Sequence, residues 1–212
     1  MRDDFKARLR TAVQKNPRPT RPESRRRVVG VHAIAILVML GIFEAAGGAA
    51  HGSGRPALLT IVVVAAVSLV GVAATFLATP SKGSMLERPW WVHLGLVLLA
   101  PVAITVAMTV WHHFYDEPFQ RFGWRCMGLT IAMGIALGTA MFAVRRARVI
   151  HHPGSTGGAL GATAGVWATM LVDVWCPLTN LPHVVVGHAL PVLVLGLVGV
   201  LAGTKILALK SR

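Results

Sequence analysis

The sequence predicts an all-α, polytopic integral membrane protein: a bundle of six transmembrane helices. Three observations lead there. Of 212 residues, 54% are hydrophobic and only 14% are charged, whereas a soluble domain carries about 25% charged residues. The charges are clumped between long uncharged stretches, as expected when lipid solvates most of the surface. The apolar stretches are also continuous. They suit helices, which satisfy their own backbone in lipid, and not the alternating strands of a barrel.

Crossing about 30 Å of hydrocarbon takes roughly 20 mostly apolar residues. Six stretches meet this: 28–50, 57–79, 91–111, 127–144, 158–175 and 184–207. The first follows Arg25, Arg26 and Arg27 and ends in the small residues Ala46 to Ala50. That pattern resembles a signal peptide, but the apolar run is longer than a signal core, so it is read as a retained span. Trp90 and Trp91 open the third span, while Trp111, Trp124 and Trp175 mark outer boundaries. The fifth is the least convincing, being rich in Gly and Ala and holding Asp173. Glycines recur every four residues in the last three spans: Gly134 and Gly138, then Gly157, Gly161 and Gly165, then Gly199 and Gly203. That spacing lets helix backbones approach closely in lipid. The linkers are too short for a soluble domain, so the chain divides into a tail, 1–27, and a membrane domain, 28–212.

Lys and Arg set the orientation. Eighteen of the 21 fall in the tail, in the second and fourth linkers, or at the end of the sixth span and after it; only Arg55, Arg121 and Arg125 fall on the other side. The positive-inside rule places both termini in the cytoplasm, which requires an even number of spans. The net charge of +13 is therefore a topology signal and an attraction to anionic membrane lipid, not a sign of direct nucleic-acid binding.

The tail splits in two. Phe5, Leu9 and Val13 recur at i, i+4 and i+8, one apolar stripe on a short helix edged by Arg8 and Arg10. Residues 16–23 contain three prolines and read as an extended linker. The stripe has three open readings: an anchor on the inner leaflet, a solvated tail, or a helix that docks into a groove on a cytoplasmic protein. So short a helix orders only on binding.

Glu44 and Asp173 are acids at membrane depth near the outer end, where they reach water or pair with Arg55, Arg121 or Arg125. Both cysteines, Cys126 and Cys176, fall on the outer side, with His51, His112, His113, His183 and His188. Cys176, His183 and His188 form the tightest group, and a thiolate with two imidazoles suits zinc or copper. Against this, the two histidines stand five apart, about 140° around an α-helix, and meet only if the chain is irregular there; Pro182 permits that. Structural or interfacial roles are the leading alternative, and a Cys126–Cys176 disulfide or redox switch is also open. No metalloprotease, serine-hydrolase or P-loop motif occurs, so no enzyme is expected and no cofactor is required. The rival to a partner-binding role is a small transporter or metal-handling protein using Glu44, Asp173 and the outer Cys/His group.

The C-terminal third carries a family resemblance. Gly161-Ala-Thr-Ala-Gly165, Asp173-Val-Trp-Cys-Pro177, His183, His188, Pro191 and Gly199-Val-Leu-Ala-Gly203 resemble the NrsF family of bacterial six-span anti-sigma factors. The resemblance implies a multi-pass protein of the bacterial inner membrane. Its N-terminal segment would hold an extracytoplasmic-function sigma factor, here through Phe5, Arg8, Leu9, Arg10 and Val13. The sensing candidates are then Cys126, Asp173, Cys176, His183 and His188.

Overall fold

The computed structural model describes residues 21–48, 55–79, 88–114, 121–146 and 150–207. Within them are six helices long and apolar enough to cross a membrane: α1 (Arg21–Ala45), α2 (Ala57–Ala78), α3 (Trp90–Thr109), α4 (Trp124–Arg145), α5 (Pro153–Trp175) and α6 (Leu181–Ile206). The tail stripe of Phe5, Arg8, Leu9, Arg10 and Val13 lies outside the described residues, as does His51.

Helix α1 starts at Arg21, earlier than the hydropathy pattern suggests. The end of the proline-rich stretch is therefore helical and not extended. Pro22 tolerates this because a proline in the first helical turn gives up an N–H that has no intrahelical partner anyway. The three arginines Arg25, Arg26 and Arg27 consequently belong to α1. Helix α5 likewise begins at Pro153, before the expected apolar start, with proline again in the first turn.

The fifth span, the weakest by hydropathy, is the centre of the bundle. It touches α2, α3, α4 and α6, and 78% of its most apolar window is buried inside the protein, against 17% for α1. A helix enclosed by protein need not present long apolar side chains to lipid. It can be built from Gly, Ala and Thr, which is why its hydropathy is low. Its closest neighbour is α6. A Cβ on Gly157 would meet the Gly199 carbonyl and the Gly203 Cα, and one on Gly161 would meet the Leu195 carbonyl. The repeated glycines therefore mark backbone-to-backbone contact. A side-chain hydrogen bond ties α5 to α2, where Trp167 Nε1 donates to Thr75 Oγ1 at 2.9 Å.

Helix α1 is peripheral. It packs chiefly along α4 and barely reaches α5, and Ile34 and Leu37 are largely exposed, a surface suited to lipid. Arg125, at the start of α4, donates to the Ala46 carbonyl just past the end of α1. We call that end of the bundle distal, and the end where α1 begins proximal.

Candidate functional site at the distal end

The distal ends of α4, α5 and α6 enclose four side chains able to hold a metal ion: Cys126, Cys176, His183 and His188. All four are buried, and their ligand atoms lie within 4.8 Å of one another. The elements position them as follows. Cys126 lies in the first turn of α4. Cys176 caps α5, where the chain turns extended before Pro177. Asn180 accepts a hydrogen bond from the His183 N–H and so caps the start of α6.

The two histidines converge because α6 is not a regular α-helix between them. Residues Val185–Ala189 form a π-turn, and the Leu190 N–H donates to the Val185 carbonyl, five residues back. In that wider turn residues five apart lie close to one above the other, and the rings of His183 and His188 stand 5.6 Å apart, centroid to centroid. The turn is pressed onto α4 at a pair of glycines. A Cβ on Gly123 would meet the backbone of Gly187, and one on Gly187 would meet Cys126 Cβ at 3.1 Å. Only two glycines permit this approach, which brings Cys126 up to the histidines.

The tautomer of His183 follows from its partners. Its Nδ1 lies 2.8 Å from the Arg121 carbonyl. A carbonyl only accepts, so Nδ1 carries the proton, and Nε2 presents its lone pair to Cys176 Sγ at 3.1 Å and Cys126 Sγ at 3.6 Å. A backbone carbonyl fixing the far nitrogen of a ligating histidine is the usual support of a metal-bound imidazole. His188 differs. It is fully buried, and neither ring nitrogen has a hydrogen-bond partner among the described residues. Both cysteines are free thiols here, and the neighbouring Cys126 thiol together with burial pushes the Cys176 thiol up to about 11. A tetrahedral Zn2+ with two sulfurs and two nitrogens spaces its ligand atoms roughly 3.3–3.8 Å apart, given bonds of about 2.3 and 2.0 Å. The group fits such an ion with small side-chain adjustments, and binding would displace thiol protons.

Beside the group is a buried ion pair. Arg55, just before α2, donates from both terminal nitrogens to Asp173 Oδ1 at 3.2 Å and from Nη2 to the Asp173 carbonyl at 2.8 Å. Both side chains are fully buried. Of the three arginines the sequence offers as partners for Asp173, packing selects Arg55. Arg125 instead stacks over Trp175, 4.6 Å from the ring centroid. Glu44 is exposed on α1 and outside the Cys/His group. His112 and His113 adjoin each other in a short 3-10 turn, also outside it.

The sequence reading groups Cys176, His183 and His188, brings Cys126 to Cys176 only through a possible disulfide, and names Arg55 as one of three partners for Asp173. The structure places Cys126 with the other three, and the contact of Gly123 with Gly187 is not among the sequence expectations. The π-turn has a faint signal in Pro182 and Gly187 alone.

A sequence model of the NrsF family, described as negative regulator of sigma F, matches residues 11–208, nearly the whole chain. No curated protein and no solved structure matches the chain.

Proposed function

The chain belongs to the NrsF family, and from that premise we propose that it is a membrane-bound anti-sigma factor whose distal Cys/His group controls its grip on an extracytoplasmic-function sigma factor. The family is one of sigma-factor regulators, not enzymes. The observation that carries the reading is the match across 11–208, which takes in all six spans and the tail from residue 11 on, Val13 included, while Phe5, Arg8, Leu9 and Arg10 precede it.

In this reading both termini lie in the cytoplasm of a bacterial inner membrane, as the distribution of Lys and Arg favours. Phe5, Leu9 and Val13 seat an apolar stripe in a groove on the sigma factor, with Arg8 and Arg10 at its edge. A sigma factor held there is kept from RNA polymerase. The distal group faces the envelope and takes a soft or borderline metal ion, zinc or copper, through Cys126, Cys176, His183 and His188. The unpartnered, buried nitrogens of His188 favour a metal over a disulfide, which would join the sulfurs and leave that ring unsatisfied. Helix α4 connects the two ends. It carries Cys126 distally and packs along α1, which leads to the tail.

The energies suffice. Turning a two-state grip from about 99% bound to 99% free takes about 5.5 kcal/mol of differential binding. A structural zinc site provides about 10–16 kcal/mol in small domains, so part of the metal-binding energy is enough.

The test is co-purification of the full chain with its cognate sigma factor, in detergent, with and without residues 1–20. Retention that is lost on deletion supports the reading. If the intact chain retains no sigma factor, sequestration is wrong. The transporter alternative predicts the reverse pattern, an expendable tail with Glu44 and Asp173 essential.

A further inference from the structure

The buried ion pair has a loose end. Asp173 Oδ1 is held by Arg55, but Asp173 Oδ2 has no hydrogen-bond partner among the described residues, and the same is true of both ring nitrogens of His188. The three orphaned atoms belong to neighbours. Thr169 donates from Oγ1 to the His188 carbonyl at 3.2 Å. Asp173 stands four residues farther along α5, on the same face, and within electrostatic reach of His188. A fully buried carboxylate oxygen and a fully buried imidazole, both unpaired, carry a large desolvation cost. One arrangement removes it: one ring nitrogen donates its proton to Asp173 Oδ2 and the other takes a metal ion.

We propose that Asp173 is the residue that orients His188 as the fourth metal ligand, with Arg55 as the counter-charge that fixes the carboxylate for that task. The assignment rests on reading the Cys/His group as a metal site. His183 and His188 are then supported differently. A neutral backbone carbonyl holds His183, while an ionised side chain, itself clamped by the arginine ahead of α2, holds His188. A carboxylate raises the basicity of its imidazole more than a carbonyl does, so His188 is the ligand more sensitive to its support. Occupation of the site thereby tightens the start of α2 against α5 through Arg55.

The experiment uses the purified full chain in detergent, with Co2+ as a spectroscopic probe and a chelator as competitor. Asp173→Asn combined with Arg55→Met removes the carboxylate without leaving a buried charge alone. We expect this double variant to bind Co2+ about 10–100-fold more weakly. Its d–d bands should move from the pattern of a tetrahedral two-sulfur, two-nitrogen site toward that of His188→Ala, while the thiolate charge-transfer band persists. If the double variant does not melt like the wild type, Arg55→Lys takes its place. It keeps both charges but not the forked grip, and a smaller shift in the same direction is expected. Native affinity together with unchanged d–d bands in the variant overturns the assignment and leaves the metal reading standing. A wild-type chain that takes up no Co2+ overturns the metal reading, and this assignment with it.

Discussion

Helices α5 and α1 are both single membrane-length helices, yet they are built on opposite terms. Helix α5 is enclosed on all sides, rich in glycine and alanine, and ends at Asp173 and Cys176. Helix α1 is more apolar over its membrane-length part, Arg26–Ala45, mostly uncovered, and rests on α4 alone for most of its contacts. The contrast teaches how such a bundle can relay a signal. In the proposed function, the sensing chemistry would sit where backbones are locked together, and the output segment would hang from the helix with least to lose by moving. Without a hydrophobic drive between helices in lipid, van der Waals packing and polar contacts decide which helices are fixed, and α1 has few of either.

Substitutions that act on one helix and spare the other sharpen this contrast. The largest effect is expected from Arg55→Ala, which leaves Asp173 buried without its counter-charge at the end of α5. About 3–5 kcal/mol of stability should be lost, measured by unfolding in detergent, and Arg55→Met with Asp173→Asn should recover most of it. Next comes Gly161→Leu. Its side chain would be driven into the Leu195 backbone, and the cost should reach about 3 kcal/mol, the upper part of the overpacking range. Trp167→Phe removes the bond to Thr75 that joins α5 to α2 and should cost about 1 kcal/mol. At the other extreme, Gly30→Ala on α1 meets nothing within 4 Å. It should be neutral or stabilise by up to about 1 kcal/mol through helix propensity. Were Gly30→Ala as damaging as Gly161→Leu, α1 would be a packed helix and the contrast would collapse.

The same pair of helices shows what the sequence discloses. Six long apolar runs are legible because lipid imposes one length and one polarity on every span, and α1 is plain for that reason. Helix α5 reads poorly because its environment is protein, and hydropathy reports solvent, not burial. The glycine spacing at Gly157, Gly161 and Gly165 makes up for this, since it encodes close packing directly. Around the site, Cys176, His183 and His188 are legible as neighbours along the chain. Cys126 is not, because it joins them only through the contact of Gly123 with Gly187. The convergence of His183 and His188 depends on one π-turn, a local departure that regular helical periodicity places about 140° off. The partner of Asp173 is a choice among three arginines that tertiary packing alone makes.

The central claim is that the distal group governs the proximal grip. Its most direct test is the amount of sigma factor retained by the full chain in lipid nanodiscs as Zn2+ or Cu+ is added. The account predicts release by the wild type as the site fills. Cys176→Ser should retain the sigma factor at the same metal concentrations, having lost a ligand without disturbing the tail. Equal release from both, or none from either while the wild type binds the metal, would contradict it.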